Sequence, residues 1–387
     1  MGIELPEPPP LALYVHLPWC VQKCPYCDFN SWTMGEEAPL DAYLQALLRD
    51  LALEADRAGS RELVSIFIGG GTPSVFSPGQ IGAVLQAVDD RFTLGRDIEV
   101  TMEANPGTVE SGDPAGYRTA GVNRLSLGAQ SFSASSLAAL GRIHSVDDIR
   151  RSFDAARAGG FDNINLDIMY GLPEQDLAGA LGDLGAAIEL RPEHISWYHL
   201  TLEPNTVFHA RPPAGLPDAD TATDIQDHGQ ALLAEAGYGQ YEVSAYARDG
   251  RWSRHNLNYW TYGDYLAAGA GAHGKLTDEE GIWRYVKPAH PKQYMESMSG
   301  GDPAVPLRPV AGPEVVFEYL LNTVRLCDDI SSRDFAARTG QPADRLHARL
   351  QQPVAAGLME KTGATTWRVT ALGRRFLNDL QAEFLPD

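Results

Sequence analysis

Six short apolar runs alternate with stretches of helical periodicity over the first 205 residues, and this alternation constrains the fold most. The candidate strands are Ala12–Leu17, Leu63–Gly69, Ile98–Ala104, Asn123–Gly128, Asn163–Met169 and His194–Leu202. The candidate helices are Leu40–Arg57, Pro78–Asp90, Pro114–Ala120, Val146–Ala158 and Leu177–Glu189. Strands separated by helices form right-handed βαβ units, which build a parallel sheet that curls toward a barrel. Six units are fewer than the eight of a closed barrel, so the sequence predicts an α/β fold with a partial (βα)6 barrel over residues 1–205.

The second part of the chain, residues 206–300, mixes helical and β-type patterns. Thr221–Glu235 has helical character, and Tyr238–Tyr246 alternates in the manner of a strand. These patterns predict a small α+β extension of the barrel. Pro288–Pro313 contains several prolines and predicts a linker.

The last part, residues 301–387, predicts a winged-helix-like domain. Its candidate elements are three helices, a hairpin and a last helix, with the helices and hairpin at Pro313–Leu326, Ser331–Thr339, Ala343–Ala356 and Leu358–Thr370. Nine Lys/Arg stand against ten Asp/Glu from Ala311 to Asp387, so no basic face for DNA is predicted. We therefore expect a structural or partner-contact role.

The overall charge and the cysteine usage limit the class of protein. The formal net charge of −20 excludes nucleic acid as an expected partner, because phosphate binding relies on clustered lysine and arginine. No apolar run approaches the length of a membrane span, and the acidic, proline-rich start lacks the features of a signal peptide. With few cysteines and no export signal, the sequence predicts a cytoplasmic protein. Peripheral membrane contact and homodimer formation are left open.

Three cysteines follow the first candidate strand, in the sequence Cys20-Val-Gln-Lys-Cys24-Pro-Tyr-Cys27. Three thiolates on one loop can bind one face of an iron–sulfur cluster, each meeting a different iron. The fourth iron is then left without a cysteine, and an open metal position is where chemistry takes place.

A structural zinc site and a disulfide are the alternatives to a cluster. Structural zinc takes four nitrogen or sulfur ligands, but the one further cysteine, Cys327, is distant in sequence and fits a small buried hydrophobic residue. His16 would have to point back over the cysteine loop to serve as the fourth ligand. A disulfide framework is typical of shorter, secreted chains. The pattern favours the cluster.

Polar residues stand at the ends of the other candidate strands. Gly69-Gly-Gly-Thr-Pro73 follows the second strand, Glu103 ends the third, Gln130 follows the fourth and Asp167 lies on the fifth. In such sheets the working residues gather where strands end, so we expect these groups to share one rim with the cysteine loop. Glycines there let a small polar ligand approach the backbone closely, although a tight turn is their ordinary role.

Three further motifs accompany the cysteine loop: Leu13-Tyr-Val-His-Leu-Pro-Trp-Cys20, Gly69-Gly-Gly-Thr-Pro73 and Asn165-Leu-Asp-Ile-Met-Tyr-Gly-Leu-Pro-Glu-Gln175. With them, nearly the whole chain resembles the radical S-adenosylmethionine (SAM) superfamily. Within it, the chain resembles the oxygen-independent coproporphyrinogen III oxidases and their haem-chaperone relatives. The resemblance implies a 4Fe-4S cluster on Cys20, Cys24 and Cys27, with SAM chelating the open iron. Reductive formation of a 5′-deoxyadenosyl radical is the chemistry that the superfamily shares.

The same resemblance implies which residues contact SAM: Tyr14, Tyr26, Gly70, Gly71, Thr72, Glu103, Gln130, Arg142 and Asp167. The glycines and Thr72 would hold the methionine end, and Tyr26 would stack against adenine. Each also has an ordinary structural role, such as a core tyrosine for Tyr14. No side chain is assigned as catalytic.

Two departures separate this chain from the oxidases. The oxidases carry a further cysteine two positions after the third one, where this chain has Asp28-Phe29. They also have a long segment before the first strand, which here starts near residue 12. Oxidase activity is therefore not expected.

The HemW-type chaperone branch is the one that this chain resembles, in its short start, its Cys-x-Phe ending and its motif His255-Asn-Leu-Asn-Tyr259-Trp260. A histidine can be an axial ligand of haem iron, and tyrosine and tryptophan offer flat faces to a macrocycle. A core turn with a hydrogen-bonded histidine is the ordinary alternative.

These features together predict a radical SAM-type haem chaperone. Such a protein binds a 4Fe-4S cluster, SAM and haem, and delivers haem to acceptor proteins. Whether SAM is cleaved is left open by the sequence. The alternatives are a coproporphyrinogen III oxidase and a zinc-stabilised scaffold without catalytic activity.

Overall fold

A twelve-stranded mixed sheet forms the centre of the computed structural model, which describes residues 5, 7–35, 38–107, 113–300, 305–310 and 312–386. The six strands expected from the sequence are β1 (Leu11–Leu17), β2 (Glu62–Gly70), β3 (Thr93–Ala104), β4 (Arg124–Gln130), β5 (Ile164–Tyr170) and β6 (His194–His199). They lie side by side in sequence order and pair in parallel. The predicted open α/β barrel is thus confirmed.

Helices follow these strands and cover the outer face of the sheet. They are α1 (Leu40–Ala58), α2 (Pro78–Asp89), α3 (Pro114–Ala120), α4 (Ala134–Ala139), α5 (Val146–Ala158) and α6 (Leu177–Glu189). Side chains from the outer face of the strands and the inner faces of the helices form one continuous apolar core. β1, β4 and β5 are buried along almost their whole length, as expected for parallel strands that are covered on both faces.

Strands from residues 239–310 extend this sheet at both edges. They are β7 (Gly239–Glu242), β8 (Ala245–Ala247), β9 (Asp264–Ala268), β10 (His273–Thr277), β11 (Ile282–Val286) and β12 (Arg308–Val310). The complete order is β12-β11-β10-β9-β1-β2-β3-β4-β5-β6-β8-β7. β9 runs parallel to β1, so that the parallel part of the sheet has seven strands rather than six. The helices of this region are α7 (Val207–Ala210), α8 (Ala219–Glu235), α9 (Arg254–Trp260) and α10 (Pro291–Gly300).

The predicted linker at Pro288–Pro313 is wrong. This stretch contains α10, which packs against α1, and the edge strand β12. The hydroxyl of Tyr294 in α10 donates to the buried Asp50 carboxylate of α1, 2.8 Å away. Tertiary contacts of this kind order a segment whose local sequence is rich in proline.

The C-terminal part has the element order of a winged helix. Its elements are α11 (Pro313–Thr323), β13 (Ile330–Ser331), α12 (Ser332–Thr339), α13 (Ala343–Ala355), β14 (Met359–Lys361), β15 (Thr366–Val369), α14 (Ala371–Arg375) and α15 (Leu377–Ala382). The three strands form a small separate sheet over a second apolar core. This agrees with the expected winged-helix-like arrangement.

One further structural finding concerns membranes. Among the residues described, no helix combines the length and the apolar character that a transmembrane segment needs.

Candidate functional site

The three cysteines lie on a loop that leaves β1 at the open rim of the barrel. Lys23 closes this loop, since its ammonium donates to the carbonyls of Phe29 and Ser31, 3.1 Å away in both cases. Cys20 is buried, whereas Cys24 and Cys27 are half-buried. All three line a cavity of about 260 Å³, so the three sulfur donors face one space.

Arg142 brings a positive charge to this loop from the segment after α4. One guanidinium nitrogen lies 3.3 Å from Cys24 Sγ. The other donates to Asn105 Oδ1 at 2.7 Å and to the Gly128 carbonyl at 3.1 Å. A positive charge fixed beside the sulfur ligands would offset the negative charge of a thiolate-bound cluster.

The glycine motif lies against the backbone of the cysteine loop. Thr72 N–H donates to the Trp19 carbonyl at 2.8 Å, and a Cβ at Gly71 would lie only 2.6 Å from that oxygen. Gly70 has φ +117°, and a Cβ there would lie 2.6 Å from the His16 ring. Only glycine fits this turn, because both the conformation and the space exclude a side chain.

Two half-buried carboxylates, those of Glu103 and Asp167, line the same cavity. Glu103 accepts from Gly70 N–H at 3.1 Å, and burial together with the nearby Asp167 raises the pKa of Glu103 to about 7. Burial also raises the pKa of Asp167, whose oxygens accept from Ser126 Oγ at 3.1 Å and Asn165 Nδ2 at 2.8 Å. Within the described residues neither carboxylate forms an ion pair with lysine or arginine. The pair is therefore suited to a ligand that carries positive charge.

Gln130 closes this rim at the end of β4. Its backbone has φ +69°, which is uncommon for a residue with a side chain, and its Oε1 accepts from the Tyr198 hydroxyl at 2.9 Å. Such backbone conformations persist where the surrounding contacts hold them and are frequent at ligand sites.

A second, larger cavity of about 570 Å³ adjoins the first. The two share Phe29, Gly70 and Glu103 in their walls. The second is lined largely by aromatic and imidazole rings: Tyr14, His16, Phe67, His255, Tyr259, Trp260 and His273. Its volume lies in the range usual for small-molecule and cofactor sites.

His255 lies at the start of the short helix α9 and faces this second cavity. Its Nδ1 is hydrogen-bonded to Ser65 Oγ at 3.1 Å, and its ring packs 5.0 Å from Phe67. Burial, with a smaller contribution from the charge of Arg124, lowers the pKa of His255 to about 3. The imidazole is therefore neutral at physiological pH, as a metal-binding histidine must be.

All fifteen residues singled out from the sequence line one or the other of these cavities. The first cavity contains the three cysteines and most of the expected SAM contacts. Tyr14 lines the second cavity instead, together with the three residues of the His-Asn-x-x-Tyr-Trp motif that were singled out. In the described part of the chain, no three His, Cys, Asp or Glu side chains are arranged around a single metal ion.

Several lining residues were not predicted, among them His16, Phe67 and Tyr198. The alternation of β1 could have indicated His16, since residues two apart on a strand face the same side and Tyr14 was already singled out. The Tyr14 hydroxyl lies 3.0 Å from His16 Nδ1. Phe67 pairs with Tyr14 across β1 and β2, a register that the sequence does not give.

Comparison with known proteins gives this geometry its context. Residues 14–183 match the Radical SAM superfamily, and residues 310–376 match the HemN C-terminal domain. The chain is 48% identical over 380 residues to the protein named heme chaperone HemW of Escherichia coli (strain K12), which covers 98% of this chain and 99% of that one. The chain belongs to the HemW family of the radical SAM superfamily.

Other HemW relatives align over similar lengths. The HemW protein of Haemophilus influenzae is 45% identical over 99% of this chain and 100% of its own length. That of Bacillus subtilis is 33% identical over 97% and 99%. The solved structure of coproporphyrinogen III oxidase (HemN) from Escherichia coli superposes with a TM-score of 0.81, covers 97% of this chain and 90% of that one, and is 23% identical. At 23% identity, this likeness to HemN shows the fold of the chain and carries no conclusion about its function.

Proposed function

We propose that this protein is a haem chaperone of the radical SAM type. It would bind a 4Fe-4S cluster and SAM in the first cavity and haem in the second, and pass the haem to acceptor proteins. The observation that carries the proposal is the shared wall of the two cavities, in a chain aligned over nearly its full length with relatives named heme chaperones.

The first cavity fits the cluster and SAM by the chemistry of its donors. Cys20, Cys24 and Cys27 would hold the cluster. The carboxylates of Glu103 and Asp167, which form no ion pair with lysine or arginine among the described residues, suit the positive groups of SAM. When bound and reduced, the cluster would supply the electron that reduces the sulfonium of SAM. The chain's own contribution is to orient these groups and to exclude water around them.

The second cavity fits a flat, largely apolar macrocycle. Tyr14, Phe67 and His255 pack against one another along one wall, with ring centroids 5.0 to 6.3 Å apart. The Nδ1 of His255 is engaged by Ser65, which leaves Nε2 as the nitrogen for haem iron. A hydrogen bond to the opposite ring nitrogen is the usual support of a metal-binding histidine.

Haem titration of the anaerobically reconstituted protein, followed by absorbance, tests this proposal. His255→Ala is expected to lose the axial-ligand signature and to weaken haem binding by tenfold or more, because the iron loses a protein ligand. His347→Ala is the control, since His347 packs against Trp367 in the C-terminal part. Thermal melts of both variants would show whether either change destabilises the fold.

The two alternatives predict different outcomes for the same sample. Coproporphyrinogen III oxidase activity predicts a decarboxylated porphyrin product, and a zinc scaffold predicts a colourless protein that contains zinc. Porphyrin turnover without haem binding would overturn the chaperone proposal.

A further inference from the structure

A chain of hydrogen bonds runs through the interior of the barrel, from the residue before α9 to the wall of the first cavity. It begins at the backbone of Ser253, which precedes α9, and ends at Asp167. The N–H of Ser253 lies 3.2 Å from the Tyr241 hydroxyl, which lies 2.7 Å from His194 Nε2. His194 Nδ1 lies 2.6 Å from Asn165 Oδ1, and Asn165 Nδ2 lies 2.8 Å from Asp167 Oδ1.

The direction of every hydrogen bond in this chain follows from its last member. Asn165 Nδ2 donates to Asp167 Oδ1, so the carbonyl oxygen of Asn165 is turned toward His194. His194 must then donate from Nδ1, and its Nε2 accepts from the Tyr241 hydroxyl. The Tyr241 oxygen in turn accepts from Ser253 N–H. All donors therefore point toward Asp167, an arrangement in which hydrogen bonds strengthen one another.

The three side chains in the middle of this hydrogen-bonded chain are buried. Asn165 is 2% exposed, His194 1% and Tyr241 5%. Burial lowers the pKa of His194 well below its usual value, so the ring stays neutral and keeps the tautomer that the chain requires. Buried polar groups keep their hydrogen-bond partners, so the members of this chain hold one another in place.

At its Ser253 end, this chain of hydrogen bonds lies beside the residues that position His255. Ser253 Oγ caps α9 by accepting from Asn256 N–H at 3.3 Å. The next two backbone N–H groups, of Arg254 and His255, are held by the Glu99 carboxylate at 3.0 and 3.3 Å. The Tyr241 hydroxyl thus fixes the first of three consecutive backbone amides that lead into the histidine.

We propose that Asn165, His194 and Tyr241 are positioning residues that couple the ligand at Asp167 to the haem-binding helix α9. A ligand that fixes the Asp167 carboxylate also fixes the three side chains behind it and the start of α9. The first ligand to bind then bears the entropic cost of ordering these side chains and the start of α9. Each ligand therefore binds more tightly when the other is already bound. This inference rests on the proposed function, in which SAM occupies the first cavity and haem the second.

The test compares Tyr241→Phe with Tyr238→Phe in the full-length, cluster-reconstituted protein. Both tyrosines are buried, but the Tyr238 hydroxyl donates to the Pro192 carbonyl and takes no part in the chain of hydrogen bonds. Haem affinity is measured with and without saturating SAM. We expect SAM to tighten haem binding about fivefold or more in the wild type and in Tyr238→Phe. In Tyr241→Phe the two haem affinities are expected to agree within about twofold, while haem and SAM each still bind.

A second readout needs neither a variant nor haem. Amide hydrogen exchange of residues 253–257 in the wild type should slow when SAM is added, because the chain fixes the Ser253 N–H. Equal haem affinities with and without SAM in the wild type would overturn the coupling. So would full coupling retained in Tyr241→Phe, or exchange at 253–257 that is unaffected by SAM. Absence of haem binding to the wild type would instead refute the proposed function itself.

Discussion

Arg142 illustrates how one side chain can serve the cysteine loop without being a metal ligand. Its planar guanidinium reaches the Cys24 sulfur, the Asn105 side chain and the Gly128 carbonyl at the same time. Lysine carries the same charge but not this fork of donors. The residue therefore contributes geometry as well as charge.

Arg142→Lys is expected to weaken retention of the reconstituted cluster about tenfold, as changes beside metal ligands commonly do. The measurement is the loss of cluster absorbance under anaerobic conditions in the presence of an iron chelator. Arg118→Lys, at an exposed position on α3, is the matched control and should behave as the wild type. Unchanged loss rates in Arg142→Lys would contradict the assigned role.

Glu103 makes the stability of the ligand-free protein depend on pH. Burial raises the pKa of its carboxyl to about 7, above the value near 4.3 in an unfolded chain. The neutral carboxyl is thus the form that the fold favours. The stability that it contributes is fully present below about pH 4 and is lost as the pH rises through 7. Glu103→Gln, which stays neutral, should therefore be more stable than the wild type at pH 8, by about 3 kcal/mol, with little difference at pH 4.5.

Urea unfolding of the ligand-free protein at both pH values measures this difference. Asp28→Asn is the control, because Asp28 is an exposed carboxylate at the second cavity, which Glu103 also lines. A Glu103→Gln variant that is no more stable than the wild type at pH 8 would show that ionisation of Glu103 does not lower the free energy of unfolding.

The residues of the site could be predicted from the sequence to different degrees. The cysteines, the glycine turn and the carboxylates stand in motifs or at strand ends, so their position follows from local order. His16 and Phe67 carry no such signal, because their role depends on which strands are neighbours and in what register. Tyr241 and His194, more than forty residues apart, meet only in the folded sheet.

At the scale of elements, α1 and α10 are joined to the sheet edge by a buried group of charges. Lys287, after β11, donates to Asp50 and Glu54 of α1, and all three side chains are at most 1% exposed. Tyr294 of α10 completes the group through its hydroxyl, which donates to Asp50. Buried carboxylates of this kind depend on their cation.

Lys287→Met is expected to destabilise the protein by about 3–5 kcal/mol, since it leaves the buried Asp50 carboxylate without its cation and Glu54 with that of Arg57 alone. Denaturant unfolding at neutral pH measures the loss. Lys292→Met, on the exposed face of α10, is the control and should change the free energy of unfolding by less than about 0.5 kcal/mol. A small effect of Lys287→Met would mean that the carboxylates take up protons without cost to the fold.

These contacts also explain why the segment at Pro288–Pro313 could not be assigned from the sequence. The main helices between the strands follow their own apolar periodicity, and α3, α5 and α6 begin and end at the predicted residues. In α10 the decisive interactions are with Asp50 and with α1, more than two hundred residues away in the chain. The local proline content predicted a linker, whereas the contacts that hold α10 form only in the tertiary structure.

At the scale of the whole molecule, the C-terminal part supports the helix that carries His255. α11 packs against α9, and its Glu318 is paired with Arg284 of β11 at 2.8 Å. Arg325, just after α11, lies 4.3 Å above the Trp260 ring and is also paired with Glu242 of β7 at 3.3 Å. The winged-helix-like part is thus in contact both with α9 and with Trp260, which lines the second cavity.

Arg325→Gln is expected to weaken haem binding about fivefold, because Trp260 loses the cation that holds its ring at the cavity wall, an interaction of about 1 kcal/mol. Haem titration in the presence of the cluster measures the change. Arg375→Gln is the matched control, since Arg375 forms an exposed ion pair with Asp227 of α8 and touches neither α9 nor Trp260. If both variants bind haem as the wild type does, the C-terminal part supports the fold but not the cavity. If Arg325→Gln alone loses affinity, the interface between the barrel and the C-terminal part helps to set how tightly haem is held.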